Sequence, residues 1–143
     1  MSKALVQPYL FFGGRCEEAI EFYKGAIGAR VNRIVKFKDA PEKPPEGMLA
    51  PGFEEKVMHS SFTVGESELM ASDGCGPGSS NFSGFSLSLS VKTEAEAERA
   101  FTGLAAGGTV TMPLSRTFWS AKFGMLKDKF GVEWMVNVLA EPA

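Results

Sequence analysis

The sequence predicts an α+β protein of two tandem βαβββ modules. Three observations predict it. A helix-like segment occurs twice, as EEAIEFYKGAIGARV over residues 17–31 and EAERAFTGLAAGGTV over residues 96–110. Each copy has an acidic start, apolar positions at helical spacing, an aromatic residue (Tyr23, Phe101), then glycine and valine. A strand-like pattern precedes each copy, and a pair of short strand patterns turning at a glycine follows each one.

Residues 5–12, LVQPYLFF, form the first strand, and the first helix follows, ending in glycine-rich sequence. Residues 39–56 hold four prolines and two glycines and read as a loop. Residues 58–73, MHSSFTVGESELMASD, are two strands turning near Gly65, and residues 71–84, rich in glycine and serine, link the halves. Residues 84–91, GFSLSLSV, alternate strictly, as a half-buried strand does. Thr93 and Glu96 make a capping box for the second helix. Residues 122–139 are the last hairpin, with Asp128 and Gly131 at the ends of its turn. Tyr23 and Phe101 are 78 apart, Gly65 and Gly131 only 66, so the first half carries about 12 extra residues, which are the proline-rich loop. The chain is read as one domain, with modules over residues 3–73 and 82–140.

Composition narrows the function. The 143 residues are 44% hydrophobic and 22% charged, with a net charge of −2, which gives no reason to expect a nucleic-acid partner. No apolar run suits a membrane span and no signal-peptide layout opens the chain, so the expected location is cytoplasmic. Two cysteines, Cys16 and Cys75, make no disulfide framework. His59 is the single histidine, so no site needing two histidines from one chain can form. Neither a dinucleotide fingerprint nor a P-loop motif occurs.

The stretches YLFFGG, EEAIEFYKGAIGA, VMHSSFTVGESELMASD, LSVKTEAEAERAF and FWSAKFGMLKDKFGVEWMVN span nearly the whole chain. Together they resemble the vicinal oxygen chelate superfamily (glyoxalase, bleomycin resistance, dioxygenase), and its PhnB-like branch in particular. The resemblance implies two curved sheets paired around a concave cavity, helices outside, in a homodimer. Some relatives carry a ubiquinone-methyltransferase label, for which the sequence offers no methyl-donor site. In metal-dependent members four cavity residues hold a divalent metal. Those positions fall here at Gln7 (or Pro8), Ser86, Leu69 and Met135. Leucine offers no donor to a hard metal, so no metal and no other cofactor is expected there. His59 with Asp73 or Glu66 would be a poor substitute.

Strand alternation then fills in the cavity wall. Gln7, Tyr9, Leu69, Ala71, Asp73, His59 and Ser61 line it from the first module, and Ser86, Ser88, Ser90, Glu133, Met135 and Asn137 from the second. Phe85, Leu87, Leu89, Trp134, Val136 and Val138 pack under a helix. The resemblance places the connection that holds Trp119, running to Phe123, at the cavity mouth, where Trp119 either lines the pocket or packs at the dimer interface; Arg116 and Lys122 flank it, cations able to meet an anion. The ligand-binding candidates are therefore Gln7, Tyr9, His59, Leu69, Ser86, Ser88, Trp119, Phe123, Met135 and Asn137. The wall suits a small, partly polar organic molecule. The alternative is an isomerase, lyase or transferase of the superfamily with a displaced or weak metal, in which His59, Glu133 and Asp73 are the acid–base candidates. A third reading is an interaction module with a vestigial cavity. Cys16, at a helix start where thiol pKa falls, has no base nearby.

Overall fold

The computed structural model describes residues 4–78 and 81–139. The predicted outer module limits, residues 3 and 140, lie outside them. The chain divides into two compact units, Met1–Ser80 and Asn81–Ala143. The first runs β1 (Tyr9–Phe11), α1 (Cys16–Ile27), β2 (Arg30–Lys36), β3 (Val57–Val64) and β4 (Ser67–Ser72). The second runs β5 (Leu87–Val91), α2 (Glu94–Ala105), β6 (Thr109–Ser115), β7 (Phe123–Lys127) and β8 (Glu133–Val138). Each unit is one mixed four-stranded sheet with one helix, ordered β1-β4-β3-β2 and β5-β8-β7-β6. The first and last strands of each unit pair in parallel, and the other pairs are antiparallel. The predicted βαβββ order holds twice. Among the described residues, no helix is long and apolar enough to cross a membrane.

The helices form where the repeat places them. Both are 12 residues long and their bounds are 78 apart. In α1, Cys16, Ala19, Ile20 and Tyr23 are buried, the stripe that 3.6 residues per turn brings to one side. Tyr23 stacks on Phe62 of β3, ring centroids 5.9 Å apart, and meets Phe12 at 6.4 Å. Gly28 ends the helix at φ 68°, a left-handed cap that glycine takes without strain. In α2 the buried stripe is Ala97, Ala100, Phe101 and Leu104, and Thr93 accepts the Glu96 N–H at 3.1 Å as its capping box predicts. Phe101 lies so close to β7 that a Cβ on Gly124 would sit 2.7 Å from its ring.

Three strands differ from expectation, and the first is β1, which spans only Tyr9–Phe11 of the expected residues 5–12 and leaves Gln7 before it. The β5 strand begins at Leu87, so Ser86 and Phe85 precede it, and Phe85 is exposed rather than packed under the helix. The larger correction is one of register. Leu69 pairs with Phe62, and Ala71 with Ser60 and Leu10. All five are buried on the helix side. Leu69 and Ala71 therefore do not face the open side. Met70 does, between Tyr9 and Ser61. The cause is turn length. Two residues, Gly65 and Glu66, separate the paired Val64 and Ser67. Three residues separate Asp128 from Val132, whose backbones bond at 2.8 Å. Aligning the two glycines thus displaces the following strand by one residue, and one residue reverses every side chain.

Candidate functional site

Each sheet buries one face under its helix and leaves the other open. On the first unit's open face, Arg33, Ser61, Met70 and Tyr9 lie in register across four strands. Tyr9 stacks on Phe11, centroids 5.1 Å apart, and both rings are exposed. The Tyr9 hydroxyl lies 3.0 Å from His59 Nδ1. Desolvation by burial, then the neighbouring Cys16, pushes the Tyr9 phenol above its ordinary value. The phenol donates when Nδ1 carries the lone pair and accepts when Nδ1 carries the ring proton, so the pair fits either tautomer of His59. Further along, Gln7 Nε2 donates to Glu68 Oε1 at 2.9 Å, and Asn32 Nδ2 donates to Thr63 Oγ1 at 2.8 Å and to Glu68 Oε2 at 3.4 Å. The face is a mixed surface: an aromatic pair, a thioether, a histidine and an ordered polar cluster.

Asp73 does not belong to it. The residue is 2% exposed. Its Oδ1 accepts the N–H groups of Gly14 and Cys16, both at 2.8 Å, and its Oδ2 that of Val57 at 2.9 Å. Arg15, the residue before α1, offers no side-chain cap. Asp73 supplies it from across the sequence, and three of its four lone-pair directions accept backbone N–H groups. It is a structural anchor, not an acid–base group. Cys16 departs from expectation for a related reason. Burial, more than anything else, pushes its thiol up to about 12, with Asp73 and Glu17 adding to the rise. A protein interior outweighs the helix terminus, so the thiol is inert. Cys75 is exposed.

On the second unit's open face, Ser88 pairs with Met135 and Ser90 with Asn137, while Trp134, Val136 and Val138 are buried on the other side, as expected. Glu133 faces Lys127, and Phe123 faces Asn137. Trp119 meets the Phe123 ring edge-on at 5.3 Å and Phe118 at 4.7 Å. Asn137 Oδ1 is a buried acceptor with no hydrogen-bond partner among the described residues. Trp134 donates its indole N–H to Asp128 Oδ2 at 2.9 Å inside the core. Lys122 is paired with an acid. Its Nζ lies 2.7 Å from Glu98, whose carboxylate holds the ammonium above the usual lysine range. Arg116 instead lines a separate open cavity with Phe118, Trp119 and Lys92.

Residues 4–137 match the family described as 3-demethylubiquinone-9 3-methyltransferase. This chain belongs to that family. It is 36% identical to protein YjdN of Escherichia coli (strain K12) over 143 residues, covering 95% of this chain and 96% of that one. It is 41% identical to the solved protein PA1353 of Pseudomonas aeruginosa, with a TM-score of 0.83, 97% of this chain and 100% of that one being covered. A structure from Bacillus cereus, described as a putative 3-demethylubiquinone-9 3-methyltransferase, PhnB protein, is 31% identical with a TM-score of 0.76, over 94% of this chain and 99% of its own. These findings support the PhnB-like branch. A glyoxylase/bleomycin resistance protein/dioxygenase domain from Frankia sp. EAN1pec is 13% identical, covers 100% of this chain and 96% of its own, and has a TM-score of 0.66, which shows the shared fold.

The register redraws the inventory of metal positions that the superfamily implies. With Tyr9 on Met70 and Leu87 on Trp134, Gln7 stands beside Glu68, not Leu69, and Ser86 beside Glu133, not Met135. Each unit by itself thus offers one carboxylate and one weak neutral oxygen, too few for a metal centre. Glu66 sits at the β3–β4 turn and Asp73 is committed, so neither joins His59. Among the described residues, no three His, Cys, Asp or Glu side chains gather to hold a metal. Met70, Glu68, Phe11 and Phe118 escaped the sequence reading. Phe11 was within reach through its alternation with Tyr9. Arg33 lies on β2, for which the sequence carries no clear alternation.

Proposed function

We propose that this family member is a metal-free homodimer that binds a small, partly polar organic molecule on the open faces of its sheets. The observation that carries the reading is the Tyr9–His59 hydrogen bond of 3.0 Å on a half-exposed aromatic face. It orders polar groups beside an apolar platform, as ligand sites do. Exposed apolar side chains on the edge strands, Val31 and Ile34 on β2 and Val110 and Met112 on β6, support association of copies. Native mass spectrometry of untagged protein purified without chelator tests the reading. A dimer with an organic adduct that is lost in Tyr9→Phe and His59→Ala is expected. One stoichiometric divalent metal per chain refutes it.

The same hydrogen bond favours a second reading, an isomerase, lyase or transferase in which His59 moves a proton. That reading requires a turnover that His59→Ala abolishes. Methyl transfer, which the family's description names, requires in addition that S-adenosylmethionine bind, which calorimetry decides.

A further inference from the structure

The second unit also holds a shallow cavity of about 500 Å³ at the ends of β5 and β8. The turn from Thr117 to Ser120 forms one wall, and it is rigidly built. Thr117 N donates to Ser120 O at 3.0 Å, and the Trp119 and Ser120 N–H groups donate to Thr117 Oγ1 at 3.3 and 3.1 Å. Ser120 Oγ lies 2.7 Å from the Lys122 carbonyl and 3.0 Å from that of Val138, which fixes the turn to β7 and β8. The middle of this turn presents two aromatic rings to water, Phe118 at 96% exposure and Trp119 at 48%. Holding a phenylalanine so far out forgoes burial that would stabilise the fold, so the two rings form a ready contact surface. The Trp119 indole N–H has no acceptor among the described residues, and neither Arg116 nor Lys92 has a carboxylate partner there. Glu94 is the one acid in the lining. The lining charge is therefore +1.

We propose that this cavity binds a small aryl carboxylate. The Arg116 guanidinium takes the carboxylate as a two-pronged donor, and the Phe118 and Trp119 rings hold the flat apolar body. Glu94 sets the charge preference. One negative charge is matched by the surplus cation, and a second meets the carboxylate of Glu94, so an aryl phosphate binds less well than an aryl carboxylate. The site is distinct from the Tyr9–His59 face, and it stands or falls separately.

The chain has two indole N–H groups, and Trp134's is buried and bonded to Asp128, which makes it an internal control. Benzoate is titrated into the full-length, 15N-labelled protein, with Trp119→Phe used to assign the two indole signals. A saturable shift of the Trp119 signal with Trp134 unmoved is expected. Arg116→Gln weakens benzoate by about tenfold or more, the worth of a charge-assisted pair. Benzyl alcohol, which lacks the charge, weakens to a similar degree. Arg99→Gln, which removes an exposed cation outside the cavity, leaves the titration unchanged. The proposal is overturned by no saturable shift, by benzoate and benzyl alcohol binding alike, or by phenyl phosphate binding more tightly than benzoate. It is also overturned by a Trp119 signal that moves with protein concentration alone, because a second copy then covers the cavity.

Discussion

Replacing Asp73 with asparagine separates a structural role from an acid–base one. The carboxylate accepts the N–H groups of Gly14, Cys16 and Val57 at 2.8, 2.8 and 2.9 Å, in a site shut off from water. An asparagine can keep its oxygen toward Gly14 and Cys16, but its NH₂ then faces the Val57 N–H, donor against donor. The other orientation is worse, because two donors are then opposed. One charge-assisted bond is lost and one buried N–H is orphaned, together costing about 3 kcal/mol. For a chain of this size that lowers Tm by about 10 °C. Urea unfolding followed by far-UV circular dichroism measures the loss, and hydrogen exchange locates it. The amides of α1 should exchange faster while those of α2 hold, because α2 takes its cap from Thr93. An Asp73→Asn protein within about 0.5 kcal/mol of the parent refutes the reasoning.

Three further outcomes follow from the same packing. Cys16 should resist a thiol reagent in the native chain while Cys75 reacts, giving one labelled thiol per chain and two after unfolding; two in the native state would contradict it. The Cys16 thiol also gives a pH dependence: its pKa is about 12 folded against 9.0 for the free group, so the unfolded chain loses this proton first. Stability is then unaffected below pH 9 and falls by about 1.4 kcal/mol per pH unit as pH rises through that window. The Cys16→Ser variant should lose that slope in alkaline urea titrations. Gly124→Ala should cost about 1–3 kcal/mol, since its Cβ would lie 2.7 Å from the Phe101 ring and 3.0 Å from the Met112 carbonyl. A shorter Phe101→Leu side chain should recover part of that cost, and an unchanged urea midpoint would show that the helix gives way freely.

The two halves were legible because their repeated features are local. Helical spacing, the Thr93–Glu96 capping box and the alternation of Ser88, Leu89 and Ser90 each sit within a few residues, and each appears where it was read. The register of β4 was not legible from the same evidence. Both hairpins carry a glycine in the turn, but Gly65 opens a two-residue turn and Gly131 closes a three-residue one. Alternation in SELMAS is too weak to reveal the slip, because Leu69, Ala71 and Ser72 are buried and only Met70 and the exposed Glu68 mark the open side. That single residue moved Leu69 into the core and put Glu68 beside Gln7. The Tyr9–His59 bond spans 50 positions and needed the folded sheet to bring it together.

The role of Asp73 follows from comparing how the two units solve one problem. A helix starting beside a sheet has N–H groups that need acceptors. The second unit meets the need locally with Thr93, and the residue that matches Asp73 by its backbone bond (Asp73 to Val57, Val138 to Lys122) is Val138, the last of β8, which is apolar and buried. The first unit starts its helix after Arg15, which caps nothing, and brings an acceptor back from the end of β4. The same aspartate then also fixes Val57 at the start of β3, so one buried charge ties α1, β3 and β4 at the end of the sheet where His59 and Tyr9 meet. A carboxylate near a histidine in sequence and space invites a catalytic reading. Here its geometry directs three of four acceptor directions at the backbone, in a site shut off from water. Chemistry on this face therefore has to come from His59, Tyr9 and the side chains ranged beside them, on a frame that Asp73 holds in place.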